Sequence, residues 1–155
     1  MKRFPEESSA GADSTALLVT AASAALMTLA PIAAHQLGAL SHLPDPPSRI
    51  FDSDRITDSK SAHPFGIPDS LLGLGSYGVT LTLALLAHKD SRFQKLLAVK
   101  LVADGSVASF NVVKQVVSFR RLCSWCTGTA LCTAAMVFAG RGLIREEASR
   151  LLGTM

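Results

Sequence analysis

Aromatic and charged residues are both scarce in this sequence. Aromatic residues make up 6% and charged residues 17% of the 155 positions, whereas hydrophobic residues make up 48%. The mean hydropathy of +0.33 is high for a water-soluble domain of this length. The net charge is only +3, and the basic residues stand at segment ends rather than in a cluster, which argues against nucleic-acid binding. The composition instead favours packed membrane helices rich in Ala, Leu and Val.

Three long segments contain no Asp, Glu, Lys or Arg, namely residues 14–40, 70–87 and 122–140. A helix needs about 20 apolar residues to cross the hydrocarbon core, so each segment predicts a membrane helix. A fourth stretch, residues 93–119, is apolar but carries Lys95, Lys100, Asp104 and Lys114. We predict an all-α fold over residues 1–155, a single membrane domain with a four-helix bundle and a loop at residues 41–69. A soluble helical bundle is the alternative.

The distribution of Lys and Arg predicts the orientation of these helices. With the N-terminus inside, the cytoplasmic segments carry the larger basic set, namely Lys2, Arg3, Lys89, Arg92, Lys95, Arg141, Arg145 and Arg150. The opposite side carries Arg49, Arg55, Lys60, Arg120 and Arg121. By the positive-inside rule, both termini are cytoplasmic and the loop is extracytoplasmic.

A polar stripe runs along the third predicted helix. Its members recur at spacings of three and four residues and include Lys100, Asp104, Asn111, Lys114 and Ser118. Such residues must face protein or water in a membrane, and we predict an ion pair between Lys100 and Asp104. The stripe is either structural packing or a proton or water route.

Cys123 and Cys126 are the most reactive pair in the sequence. Thiols three residues apart face the same side of a helix, where they can be oxidised and reduced as a unit. A helix N-terminus and the adjacent Arg120 and Arg121 are expected to lower the pKa of a thiol. No metal is predicted, because a structural zinc site needs four ligands and the remaining Cys132 is too far along the helix.

The loop at residues 41–69 is rich in proline and aspartate. Asp69 stands where an N-cap belongs, just before the second apolar helix, so it is either that cap or a ligand-binding residue. His63, beside the return of the loop to the membrane, is a further site candidate. The other loop aspartates have no regular ligand spacing and are interpreted as solvated surface, namely Asp45, Asp52, Asp54 and Asp58.

Several motifs together resemble the vitamin K epoxide reductase family. Residues 66–77 follow the pattern G-I-P-x-S-x-x-G-x-x-x-Y, and a polar third helix and the Cys123-Ser124-Trp125-Cys126 motif come after it. A CxxC motif alone is not specific, because thioredoxin-like proteins share it. The combination is specific, and the resemblance covers roughly residues 14–140.

The resemblance implies a four-helix membrane bundle that holds a quinone near the extracytoplasmic face. It implies that Cys126 lies beside the quinone and that Cys123 is its exchange partner. Asp69 stands where some members carry an Asn that hydrogen-bonds a quinone carbonyl. Gly73 and Tyr77 match positions on the same helix, and Phe65 belongs to the segment that leads into the cover of the pocket.

The chain departs from the family pattern at two places. Family members usually carry two further cysteines in the first loop, which relay electrons from a partner protein, and residues 41–63 contain none. Ala130 stands where animal members have Tyr. We therefore expect a membrane thiol–quinone oxidoreductase whose CxxC motif exchanges directly with a thioredoxin-fold partner. The alternative is a divergent, non-catalytic protein of the same fold that binds a quinone, a lipid or a partner.

Overall fold

The fold is all-helical, as predicted. A computed structural model describes the backbone of residues 5–153 and the side chains of residues 11–153, and it contains no strand within that range. Within these residues six α-helices follow one another: α1 (Pro5–Gln36), α2 (Ser53–Thr57), α3 (Asp69–Leu86), α4 (Ser91–Lys114), α5 (Ser124–Ala139) and α6 (Arg141–Gly153). Lys2 and Arg3, which enter the predicted orientation, lie outside the described residues.

Three stretches are long and apolar enough to cross a membrane, namely Gly11–Gln36, Asp69–Leu86 and Ser91–Phe119. Helices α5 and α6 together pass the same test, although they meet at a bend of 60°. By length and composition, the described part of the chain therefore has three candidate membrane spans, or four if the bent pair counts as one.

The long helices pack through small residues. Helix α1 lies against α3 and α5, and α4 lies against the same two helices. Ala22 and Ala25 of α1 are fully buried, and Gly73 of α3 leaves room for Leu29. Close packing of small residues is the usual way in which membrane helices associate. The four helices in this arrangement enclose the cavity described below.

The predicted ion pair between Lys100 and Asp104 is confirmed. The Asp104 carboxylate also accepts hydrogen bonds from Ser76 Oγ (3.1 Å) and Thr80 Oγ1 (2.6 Å) of α3. Each oxygen of this buried carboxylate thus has a partner, which is the condition for burying a charge in an apolar interior. The arrangement fits the structural interpretation of the polar stripe at this depth, because it ties α3 to α4.

The helix ends differ from the predicted ones. Helix α1 stops at Gln36 rather than at residue 40, because Gly38 has a φ of 80° and Ala39 N donates to Ala34 O at 2.8 Å. This is a Schellman motif, which depends on glycine after the helix. Helix α6 was not predicted as a separate element, and the loop at residues 41–69 contains the short helix α2.

A π-helical turn places the cysteine motif. It spans Gln115–Phe119 at the end of α4 and is followed by Arg120 in the left-handed region, with a φ of 50°. The chain then reverses, and Leu122 pairs with the loop through Leu122 N to Ile50 O (2.8 Å) and Asp52 N to Leu122 O (2.9 Å). The start of α5 is therefore held between the end of α4 and the loop.

Candidate dithiol site

Cys123 is the N-cap residue of α5, and Cys126 lies in the first turn of that helix. The Cys123 sulfur accepts a hydrogen bond from the backbone N–H of Cys126 at 3.1 Å. The backbone N–H of Cys123 donates to Gln115 Oε1 at 3.0 Å. All three cysteines of the chain are free thiols in this structure. The cap conformation therefore brings the two predicted thiols together at a helix N-terminus.

The two sulfurs have different surroundings. Cys123 is 0% exposed, whereas Cys126 is half-buried and lines a cavity. The cavity has a volume of about 520 Å³ and is bounded by α1, α3, α4 and α5. This volume lies within the range of small-molecule sites in proteins. Only Cys126 of the pair is thus open to a ligand in the cavity.

The cavity wall is mainly apolar. Its lining includes Leu29, Ile32, Leu72, Val107, Phe119 and Ala130. The polar part of the lining includes Asp69 at the start of α3 and the adjacent Lys114 and Gln115 at the end of α4. A largely apolar wall with a small number of polar groups is typical of small-molecule sites.

Asp69 lies in this cavity and does not cap its helix. Pro68 is the N-cap residue of α3, so the interpretation of Asp69 as the cap is wrong. Its carboxylate accepts a hydrogen bond from Gln36 Nε2 at 3.0 Å, and Gln36 Oε1 accepts one from Ser70 Oγ at 2.5 Å. The end of α1 therefore fixes the position of the Asp69 side chain.

The remaining predicted cofactor-binding residues divide into two groups. Gly73 and Tyr77 line the cavity on α3, and the Tyr77 hydroxyl is 2.6 Å from Thr133 Oγ1. Phe65 lies outside the cavity lining, with a fully exposed side chain and a φ of 59°. Its part in a pocket cover stays a prediction. His63 contacts Ser59 O at 3.2 Å and is not among the cavity-lining residues.

A hydrogen-bonded cluster of three loop and helix residues lies beside Cys123, whose thiol interacts with Ser53. The Asp45 carboxylate accepts from Ser53 Oγ (2.6 Å), from Ser53 N (2.7 Å) and from Ser124 Oγ (2.5 Å). Ser53 Oγ in turn accepts from the backbone N–H of Ser124 at 3.0 Å. We call Asp45, Ser53 and Ser124 the Asp45 clasp. The interpretation of Asp45 as solvated surface is therefore wrong.

The electrostatics of the clasp and of Cys123 favour the charged forms. Burial opposes ionisation of Asp45, but hydrogen bonds from Ser124 and Ser53 outweigh it and lower the pKa of the carboxyl. A hydrogen bond with the Cys126 thiol lowers the pKa of Cys123, against the opposing effect of burial. The predicted direction of the pKa shift thus holds, and the backbone N–H of Cys126 at the helix N-terminus contributes as predicted, although the Cys126 thiol has the larger effect. Arg121 is turned away and donates to the carbonyl oxygen of Arg49.

Sequence reasoning missed Gln115, Asp45 and Ser53. Gln115 is a buried amide between Lys114 and two valines, and an isolated Gln in an apolar stretch was its only signal. Asp45 and Ser53 are separated from Ser124 by more than 70 positions. Their meeting depends on how the loop folds, for which the sequence carries no local pattern.

These features define a class, a helical protein with membrane-length helices and a dithiol of which one sulfur lines a largely apolar cavity. No group of three or more His, Cys, Asp or Glu side chains that could hold a metal ion occurs among the described residues. The profile of the Vitamin K epoxide reductase family matches residues 15–140, so the chain belongs to that family. Among curated proteins, none matches the sequence.

Proposed function

We propose that this protein is a membrane thiol–quinone oxidoreductase in which Cys123 and Cys126 pass two electrons from an external dithiol to a quinone. The observation that carries the proposal is the position of Cys126. It is paired with Cys123 and at the same time lines an apolar cavity of about 520 Å³. Membership of a redox family of membrane proteins supports the same reaction.

The first half of the cycle reduces the disulfide. A thiolate of the external dithiol attacks the sulfur of Cys123, the bond to Cys126 breaks, and Cys126 leaves as a thiolate. The second thiol of the partner then attacks the mixed disulfide, which releases an oxidised partner and a reduced Cys123. A thioredoxin-fold protein supplies such a dithiol, and the absence of loop cysteines means that the exchange is direct.

The second half of the cycle oxidises the dithiol again. A bound quinone accepts two electrons and two protons and becomes a quinol. Cys126 holds the reacting sulfur against the cavity, and the bond between Cys123 and Cys126 re-forms as the two electrons leave. Asp69, which Gln36 holds in the cavity, donates a hydrogen bond to a quinone oxygen in its protonated form.

The helices that surround the cavity are proposed to form a four-helix membrane bundle. In this arrangement both termini are cytoplasmic, and the loop and the cysteine motif face the extracytoplasmic side. An oxidising compartment suits a cycle that returns the pair to the disulfide.

A test of the proposal is quinol formation by the purified protein in detergent, with dithiothreitol and a water-soluble quinone. Cys126→Ala is expected to reduce the rate to that of the uncatalysed reaction, because no sulfur then faces the cavity. Cys132→Ala is the matched control, since Cys132 lies on the same helix and is not among the cavity-lining residues, and it is expected to keep the rate. An unchanged rate in Cys126→Ala contradicts the proposal.

A non-catalytic, quinone- or lipid-binding protein of this fold is the second candidate. The complete burial of Cys123 and the lack of loop cysteines favour it. Thiol alkylation after treatment with oxidant separates the two candidates. A pair that never forms a disulfide supports the binding role.

A further inference from the structure

The Asp45 clasp joins three parts of the chain at the dithiol. Asp45 lies in the loop, Ser53 begins α2, and Ser124 is the first residue of α5, between the two cysteines. Ser53 is 0% exposed, and the Asp45 carboxylate accepts the hydrogen bonds of its two serine partners on both oxygens. Hydrogen bonds to a charged group are stronger than those between neutral groups. The clasp is thus a closed network in which Ser53 is fully buried and Asp45 and Ser124 are partly exposed.

Further contacts hold the same loop on the same turn of α5. Trp125 Nε1 donates to Pro44 O at 3.0 Å, on one side of the clasp. On the other side, Leu122 exchanges backbone hydrogen bonds with Ile50 and Asp52. Residues 44–53 therefore lie across residues 122–125 as one strap, in which Asp45 near one end bonds to Ser53 at the other end and to Ser124.

The strap separates access to the two sulfurs. Cys126 opens into the cavity without any movement of the loop, but Cys123 is fully enclosed. In the proposed cycle the external thiolate must reach Cys123, which it cannot do while the strap is closed. A quinone, by contrast, meets Cys126 with the strap in place.

We propose that Asp45 is a positioning residue that, through Ser53 and Ser124, holds the strap closed over Cys123 and so limits its exchange with external thiols. The inference rests on the proposed role of Cys123 as the thiol that meets the external partner. In this proposal the loop acts as a gate. The opening step precedes thiol exchange and leaves the chemistry of the cysteine pair unchanged.

The test measures the alkylation rate of Cys123 by N-ethylmaleimide in the full-length protein in detergent. Cys126→Ser and Cys132→Ser provide a background in which Cys123 is the only thiol. Asp45→Asn in this background is expected to label at least about tenfold faster, because the loss of charge-assisted hydrogen bonds shifts the strap towards the open state. Asp52→Asn is the matched control, since Asp52 accepts at 3.4 Å from Arg55 N within its own helix cap, and it is expected to keep the parent rate.

The midpoint of thermal unfolding is measured for each variant to separate local opening from loss of the fold. We expect Asp45→Asn to label faster than the parent while its midpoint of thermal unfolding stays close to that of the parent. Ser124→Ala removes only one of the hydrogen bonds to Asp45, and it serves as a second variant if Asp45→Asn fails to fold. When both substitutions are combined, the effects on the rate are expected to be less than multiplicative, because they act on the same hydrogen bond.

Equal rates in the parent and in Asp45→Asn overturn the inference. So does a parent that labels as fast as a fully exposed thiol, or an equal acceleration by Asp52→Asn. Labelling needs no quinone, so the two proposals can fail separately. If Asp45→Asn accelerates the labelling of Cys123 but the protein forms no quinol, only the proposed function is contradicted. If the protein forms quinol but Asp45→Asn leaves the labelling rate of Cys123 unchanged, only the gate is contradicted.

Discussion

Cys123 and Cys126 are three residues apart and yet have opposite environments. The N-cap position turns Cys123 towards the loop and the π-helical turn, whereas Cys126 faces the cavity. The distinction matters because a dithiol that links two substrates needs one sulfur for each. The sequence predicted the pair and the family resemblance implied a role for each thiol, which stays a prediction, but the enclosure of Cys123 depends on contacts from distant residues. The Cys123 sulfur also accepts a hydrogen bond from the backbone N–H of Cys126, which would otherwise lack a partner within the helix. The motif therefore stabilises the start of α5 in addition to carrying the two thiols.

Gln115 is the residue that aligns Cys123 with the end of α4. Its Oε1 must be the acceptor here, because its partner is the backbone N–H of Cys123. Gln115→Leu leaves that buried donor without its partner, and we expect the free energy of unfolding to fall by about 1–3 kcal/mol. Chemical unfolding in detergent followed by circular dichroism measures it.

Asn111→Leu is the control for this substitution. Asn111 lies one turn earlier on the same wall of the cavity and is exposed. A change within about 0.5 kcal/mol is expected there, as for most surface substitutions. Equal losses in the two variants would mean that the bond from Gln115 to Cys123 contributes nothing specific.

At the scale of elements, long charge-free segments predicted the membrane helices, and local features set their ends. Helix α1 ends at a glycine-dependent Schellman motif, and α5 gives way to α6 at Gly140. The sequence shows where the glycines are, but it does not show which of them end or bend a helix. Many other glycines of the chain do neither. The bend between α5 and α6 brings Gly140 against Leu101 of α4, a contact between residues that are far apart in sequence.

Gly140 and Gly142 form a matched pair for testing this bend. A β-carbon added at Gly140 would overlap Cδ1 of Leu101, a fully buried side chain, so Gly140→Ala is expected to destabilise by about 1–3 kcal/mol. A β-carbon at Gly142 meets nothing within 4 Å, and Gly142→Ala is expected to stabilise by about 0.5–1 kcal/mol through helix propensity. Thermal unfolding in detergent measures both. Two shifts of the same sign contradict the packing described at the bend.

For the whole molecule, composition was sufficient to predict the helical class and the membrane setting. The predicted cavity residues came from the family resemblance, and the geometry brings Cys126, Asp69, Gly73 and Tyr77 to one cavity. Phe65 is not among the lining residues, although its neighbour Pro64 is, since its side chain is fully exposed and its φ is positive. Loop contacts such as the Asp45 clasp could not be predicted. The loop has no hydrophobic periodicity, so its sequence does not indicate which residues it contacts.

The proposed orientation predicts which parts of the chain face each side of the membrane. In a cysteine-free background, Ser48→Cys in the loop is expected to react with a membrane-impermeant maleimide in intact cells. Ser149→Cys in α6 is expected to react only after the membrane is permeabilised. Both positions are exposed, so a difference in labelling reports the side of the membrane. The opposite pattern, or labelling of both in intact cells, contradicts the predicted topology.

Single-turnover oxidation by a quinone tests the central claim most directly. The fully reduced protein, freed of external reductant, is mixed with a quinone under anaerobic conditions, and quinol and cysteine oxidation state are both quantified. The account predicts one quinol for each protein molecule, together with a Cys123–Cys126 disulfide that mass spectrometry detects as the loss of two hydrogens. No quinol, with both cysteines still reduced, would contradict it.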